Sequence, residues 1–157
     1  MTYIAIDPGP EQSGVVRFLH GQLLEAGTYP NVQVLALIHQ GQTVIVEWLQ
    51  CYGAGVGQSV LRTAQFTGEV KERCRELHCE YHEMTRPEVL RELVGTTRGI
   101  SKAVVRRAVL DMFPATGGGA EPAIGTKDNH GPLFKMRGAA HAWDALALFE
   151  AWKKVQL

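Results

Sequence analysis

Asp7, Glu47, His141 and Asp144 are the residues of this chain whose types and surroundings best suit chemistry. Asp7 ends the apolar run Tyr3-Ile4-Ala5-Ile6, and Glu47 ends a second run, Thr43-Val44-Ile45-Val46. A carboxylate at the edge of a core is seldom left alone, because the water it gives up must be replaced by a partner charge or a metal. In Gly138-Ala139-Ala140-His141-Ala142-Trp143-Asp144-Ala145-Leu146 the histidine and the aspartate stand three residues apart, a spacing that puts both on one face of a helix. If the two apolar runs are neighbouring strands, Asp7 and Glu47 reach a common ion and the helix supplies the third corner. Carboxylate oxygens suit Mg²⁺ or Mn²⁺; an imidazole at one corner is better tolerated by Mn²⁺, and Mg²⁺ is the default by abundance. Two such ions about 4 Å apart would activate a water on one side of a phosphodiester and stabilise the leaving 3′ oxygen on the other. His141 reads either as a direct ligand or as the group that orients the attacking water and moves its proton. Taken singly, each residue has an ordinary reading: a turn-forming Asp7, a Glu47 paired with a base, a half-buried His141, a solvated helix acid at Asp144. The joint pattern is what favours a metal site.

The elements that must position these residues follow from apolar periodicity and from turn and cap signals. Tyr3 to Asp7 reads as a buried central strand stopped by Pro8-Gly9-Pro10. Ser13 to Leu19 and Gln22 to Tyr29, separated by His20-Gly21, read as an antiparallel hairpin. Val32 to His39 suits a helix, Thr43 to Glu47 a second buried strand, and Gln58 to Leu77 a long helix that crosses the sheet. Cys79 to His82 is a short fifth strand, and Thr85-Arg86-Pro87-Glu88 has the spacing of a capping box for a helix through Leu93. Ser101 caps a further helix through Met112, and Gly138 to Val155 is a last one. Pro114 to Arg137, rich in glycine and proline, is a long loop that is either functional or mobile. The expectation is a mixed α/β sheet with helices on its faces, in one domain over residues 1–157.

Composition narrows the class. With 45% hydrophobic and 20% charged residues the chain is that of a soluble globular protein, and no apolar run approaches the roughly 20 residues that span a bilayer. No cationic-then-apolar signal is present, so a cytoplasmic protein without a membrane partner is expected. Cys51, Cys74 and Cys79 form no close-spaced metal pattern and read as reduced and structural. The formal net charge of +0 hides a segregation: residues 1–61 hold Arg17 against Asp7, Glu11, Glu25 and Glu47, whereas residues 86–107 hold six bases against two acids. An acidic site beside a basic flank is the arrangement expected of a protein that handles a nucleic acid.

The ordered set of motifs resembles the RuvC family of Holliday-junction resolvases, particularly its shorter phage-type members, over nearly the whole length. Ile4-Ala5-Ile6-Asp7-Pro8-Gly9 is similar to the first catalytic strand of that family, and Val44-Ile45-Val46-Glu47 to the strand that carries its glutamate. Val94 to Lys102 resembles the segment before a DNA-contacting helix, and His141-Ala142-Trp143-Asp144-Ala145-Leu146-Ala147 the terminal acidic helix, with histidine where many relatives carry aspartate. The resemblance implies a ribonuclease H-like mixed five-stranded sheet with helices on both faces. It also implies a Mg²⁺-dependent (or Mn²⁺-supported) endonuclease, built as a homodimer, that nicks branched DNA such as four-way junctions in a bacterial or phage-infected cell. Paired cuts at a two-fold junction suit a two-fold protein.

Lys102 matches the family lysine and stands at a helix N-terminus, which itself favours anions, so it is the first phosphate contact expected; Arg98 and Arg106 follow. Tyr52, with Trp48, lies just beyond Glu47, where the family places an aromatic that stacks on an unpaired base. Two other classes compete. One is a branched-DNA-binding module without catalysis. The other is a sugar-kinase-like ATPase, which shares an acid-glycine first strand but needs a second lobe that this length does not provide.

Overall fold

The computed structural model describes residues 1–51, 53 and 55–157. Its strands form one five-stranded sheet in the order β3-β2-β1-β4-β5. β1 (Thr2–Asp7), β2 (Gln12–Leu19) and β3 (Gln22–Pro30) are an antiparallel meander. The β2–β3 turn at His20-Gly21 has φ of 48° and 80°, the pair of positive values that a two-residue hairpin of matching twist requires. β4 (Thr43–Trp48) pairs with β1 in parallel, Ile6 opposite Val46, and β5 (Glu80–Thr85) pairs with β4 in parallel, Glu47 opposite Met84. β1 and β4 are covered on both faces, which is why Ile4-Ala5-Ile6 and Val44-Ile45-Val46 are continuous apolar runs with no accessible surface.

Alternate residues of these strands feed two cores. Ile4, Ile6, Val15, Val44 and Val46 pack with Val34 and Ile38, from α1 (Asn31–Leu37) and just after it, and with Phe66, Val70 and Cys74 of α2 (Gln58–Glu76). Ala5, Val16, Phe18 and Ile45 face the other side, covered by α3 (Arg86–Val94), α4 (Lys102–Leu110) and α5 (Ala142–Gln156). Helices therefore lie on both faces, as expected. α5 is apolar nearly all round, Ala145 to Ala151 buried without a break, because it is sandwiched between the sheet and α3 with α4. Phe149 stacks on Phe18 with ring centroids 4.2 Å apart. No helix among the described residues is long and apolar enough to cross a membrane.

Of the boundaries that differ from the sequence reading, three have a clear cause. β5 runs on to Thr85, because β4 offers it a partner residue for residue from Thr43 to Trp48. α4 stops at Leu110, and Met112 and Phe113 close turns back onto Val109 and Leu110. α5 begins at Ala142 instead of Gly138: Gly138 has φ of 83°, outside the helical region, and a turn from Ala139 to Ala142 intervenes. The expected caps are present. Glu88 Oε2 accepts from both the backbone N–H and the hydroxyl of Thr85 at 2.7 Å, and Ser101 Oγ accepts from the Val104 N–H at 3.4 Å.

The segment from Pro114 to Arg137 is a packed loop. Ala123, Ile124, Leu133 and Met136 are buried in the α5 core, and a Cβ on Gly117, Gly125 or Gly131 would collide with neighbouring backbone. Its glycines serve close approach of one strand of backbone to another. Leu133 has no accessible surface, so Leu133→Ala is expected to cost about 2–5 kcal/mol of stability, read by urea denaturation. A loss below about 1 kcal/mol would show that the loop is not part of the cooperative core.

Candidate active site

Because β1 and β4 run parallel, they end at the same edge of the sheet, and their terminal carboxylates come out side by side. Asp7 is the last residue of β1 and Glu47 the last but one of β4. The chain beyond Asp7 is pinned: Ser13 Oγ accepts from the Gly9 N–H and donates to Asn31 Oδ1 at 2.7 Å, while Asn31 Nδ2 donates to the Gly9 carbonyl at 3.0 Å. Asp144 arrives from the first turn of α5. Its approach depends on Gly14 of β2, opposite Asp7, where a Cβ would overlap the His141 carbonyl oxygen. β2 and the start of α5 thus meet backbone to backbone, and Asp144 is delivered to the edge where Asp7 and Glu47 end.

Two cations enter this acidic edge. Arg86, the first residue of α3, places Nη1 3.0 Å from Asp144 Oδ1 and 3.7 Å from Glu47 Oε2. Lys102, the first residue of α4, donates from Nζ to Asp144 Oδ2 at 2.8 Å. The two differ in kind: the Lys102 side chain is 82% exposed, whereas Arg86 Nη1 is buried and makes no aligned hydrogen bond to either carboxylate. Glu47 Oε2 is likewise buried without a hydrogen-bond partner. A buried polar atom without an aligned hydrogen bond costs about 1–3 kcal/mol, which the ion pairs of Arg86 with Glu47 and Asp144 offset in part.

The electrostatics follow from burial of like charges. Burial, then the charge of Asp144, raises Asp7 from 3.8 to about 6 against the pull of Lys102, Arg86 and His141. Burial, then Asp7, raises Glu47 from 4.5 to about 7, with Arg86 opposing. A folded carboxyl that keeps its proton where the unfolded chain has released it favours the fold at low pH, and that advantage disappears as pH rises through the folded value. In chelator, the pair is therefore expected to make the protein more stable at pH 5 than at pH 8, by on the order of 3 kcal/mol together. Glu25, Glu80 and Glu88, whose values are lowered below 4.5, act beneath that window. Melting temperatures in chelator across pH 5–8 check this, and a Glu47→Gln variant with an unchanged slope would refute it.

Among the described residues, no three His, Cys, Asp or Glu side chains group closely enough to make a ready metal cage, and Arg86 lies between Glu47 and Asp144. The donor set itself still fits a hard divalent cation. Three carboxylates of different elements share one edge, one of them carries an unpartnered buried oxygen, and their mutual repulsion is what added positive charge relieves.

Of the residues singled out in the sequence, Asp7, Glu47 and Asp144 come together. His141 is the N-cap residue of α5, in a helical conformation at φ −83°, ψ −13°, and its exposed side chain lines a depression of about 320 Å³ with Asp7, Gly9, Gln12 and Thr28. Asp144, in the first turn of α5, lines a different depression, with Lys102, Arg106 and Trp143. Arg106 is held inside the chain: Nη2 donates to both oxygens of Glu121 at 2.9 and 3.0 Å, and the guanidinium lies 4.4 Å from the Trp143 ring centroid. Arg98 is exposed on the turn before α4. Trp48 is 44% exposed beside Glu47, and Tyr52 lies outside the described residues. Cys74 is buried in the α2 core, and Cys79 donates to the His39 carbonyl.

Arg86 is the site residue whose place at the carboxylates does not stand out in the sequence, where it is one of six basic residues in 86–107. Its signal was present in Thr85-Arg86-Pro87: a cation on the first residue after a strand that, paired in parallel with β4, must end beside Glu47.

No family model and no curated protein sequence matches the chain. Solved structures do. A structure of RuvC from Thermus thermophilus superposes with a TM-score of 0.67 at 18% identity, covering 99% of this chain and 95% of that one. A second, of Thermus thermophilus RuvC in complex with a Holliday junction substrate, gives 0.66 at 17% identity over 99% and 94%. The fold is the ribonuclease H-like α/β fold of those structures, a mixed five-stranded sheet with helices on both faces.

Proposed function

We propose that this protein is a divalent-metal-dependent endonuclease that nicks branched DNA, four-way junctions foremost, as a homodimer. The observation that carries the reading is the convergence of Asp7, Glu47 and Asp144 at one sheet edge, in a fold shared with a protein solved on a Holliday junction. These three carboxylates would hold Mg²⁺ or Mn²⁺, with His141 beside Asp7 as a further ligand or as the proton carrier. Bound divalent ions supply charge that activates water and offsets the negative charge developing on a phosphodiester.

The chain's own groups do the rest. Lys102, exposed at the N-terminus of α4, swings from Asp144 to a DNA phosphate, where the helix end adds its own attraction for anions. Arg98, on the adjoining turn, contacts the neighbouring phosphate. Trp48 presents its ring to an unstacked base beside Glu47. Where it is not itself a ligand, a ring nitrogen of His141, in the depression that Asp7 lines, would take the proton of the attacking water. Arg106, fixed on Glu121 and Trp143, forms a wall of the site.

The test is incubation of the purified chain with four-way junction, fork and linear duplex DNA in Mg²⁺, in Mn²⁺ and in chelator. Paired nicks near the branch point that require a divalent ion are expected. The second reading, a branched-DNA-binding protein without catalysis, is favoured by one observation: Arg86 and Lys102 already occupy Asp144, and Arg86 also lies beside Glu47. It predicts tight junction binding in chelator and no nicks with either metal.

A further inference from the structure

Arg86 is placed by the sheet. β5 lies parallel to β4 with Trp48 opposite Thr85, so the residue after Thr85 emerges at the edge where Glu47 ends. α3 then packs along α5, which sets the same residue against Asp144. The resulting contact is unlike those of Arg17 and Arg106. Arg17 donates to Glu25 Oε2 at 2.9 Å and Arg106 makes two aligned bonds to Glu121, geometries in which a guanidinium is locked. Arg86 Nη1 sits between Asp144 and Glu47 at ion-pair distances, buried, with an aligned hydrogen bond to neither. It is held there by charge and not by directed bonds, so a competing charge can displace it without first breaking a fork of hydrogen bonds.

We infer that Arg86 is a built-in counter-ion of the carboxylate cluster: it holds Glu47 and Asp144 together in the metal-free protein and yields its place to a divalent cation. Arg86 is thus a positioning residue that sets how much metal the site requires. This rests on the metal site proposed above. Lys102 does not share the role, since its exposed ammonium pairs with Asp144 alone and is free to leave for solvent or phosphate.

Titration of Mn²⁺ into the full chain by calorimetry, without DNA, reads the competition for wild type, Arg86→Gln and Arg86→Met, the last keeping the apolar bulk of the stem. Melting temperatures in chelator and in saturating Mn²⁺ read the counter-ion. Both variants are expected to bind Mn²⁺ on the order of tenfold more tightly than wild type, because one positive charge no longer opposes the ion. The interval between the two melting temperatures is expected to widen, since only the chelated form loses a partner. Arg86→Lys, which keeps the charge, brings the affinity back toward wild type. Unchanged or weaker Mn²⁺ binding by the variants, with wild type binding, overturns the inference and leaves the metal site standing; so does a melting temperature lowered equally in both conditions. Mn²⁺ binding by none of the proteins overturns the functional reading and the inference together.

Discussion

Asp7→Asn is expected to lower nicking of a four-way junction by on the order of a thousandfold while raising the melting temperature of the metal-free protein. The first effect follows from the loss of a charge that would hold the ion; electrostatic stabilisation at a reacting phosphate is worth several kcal/mol, and about 4 kcal/mol is a factor of roughly a thousand. The second follows from burial. Asp7 is raised to about 6 because ionising it beside Asp144 is unfavourable, and a neutral amide of the same shape removes that penalty at pH 8. Opposite signs in the two measurements distinguish a functional carboxylate from a structural one, whose removal would lower both. Glu47→Gln is expected to behave alike, since its raised value has the same origin. A variant that nicks as fast as wild type would remove Asp7 from the chemistry.

Gly14→Ala is expected to disable the protein from a position that bears no functional group. The added methyl would overlap the His141 carbonyl oxygen and lie 3.0 Å from its carbon and 3.4 Å from Ala142 Cα. Those neighbours are backbone at the start of a buried helix, and they cannot swing aside as a side chain would. Overpacking of this kind costs about 1–3 kcal/mol or more. The relief that remains is to push the start of α5 away from β2, and a shift of about 1 Å in a ligand-bearing element costs on the order of a hundredfold in rate. Gly68→Ala is the control: Gly68 lies on the exposed face of α2 with nothing near its missing Cβ, so alanine there is expected to stabilise by about 0.5–1 kcal/mol and leave nicking unchanged. A Gly14→Ala protein as stable and active as wild type would show that β2 and α5 are not in direct backbone contact.

Much of this site was legible because an acid that ends an apolar run is conspicuous. Asp7 and Glu47 stand out for that reason, and the same argument placed their strands within a residue of the observed ends. Their adjacency was not legible: it depends on β4 pairing with β1 and not with β3, a choice made by the packing of α1 and α2 on the far face. The small-residue pattern through Gly138-Ala139-Ala140 is compatible with a helix, whereas Gly138 takes a positive φ and a turn closes from Ala139 to Ala142, which leaves His141 as the N-cap of α5. Arg86 was hidden in a basic segment because its meaning lies in the β4–β5 register. The Pro114–Arg137 loop was read as functional or mobile, whereas its glycines also meet the demand for close backbone contact.

The all-round burial of α5 bears on when the protein becomes able to act. β1, β2 and β3 are joined by short turns and can form from local contacts, whereas Asp144 is delivered by the last helix, whose packing surface is the otherwise uncovered Ala5, Val16 and Phe18 face of the sheet. A nascent chain that has emerged only through α4 would own Asp7, Glu47, Arg86 and Lys102 but no third acid and no closed core. Under the proposed function, the third carboxylate and the closed core are therefore completed together, when α5 docks.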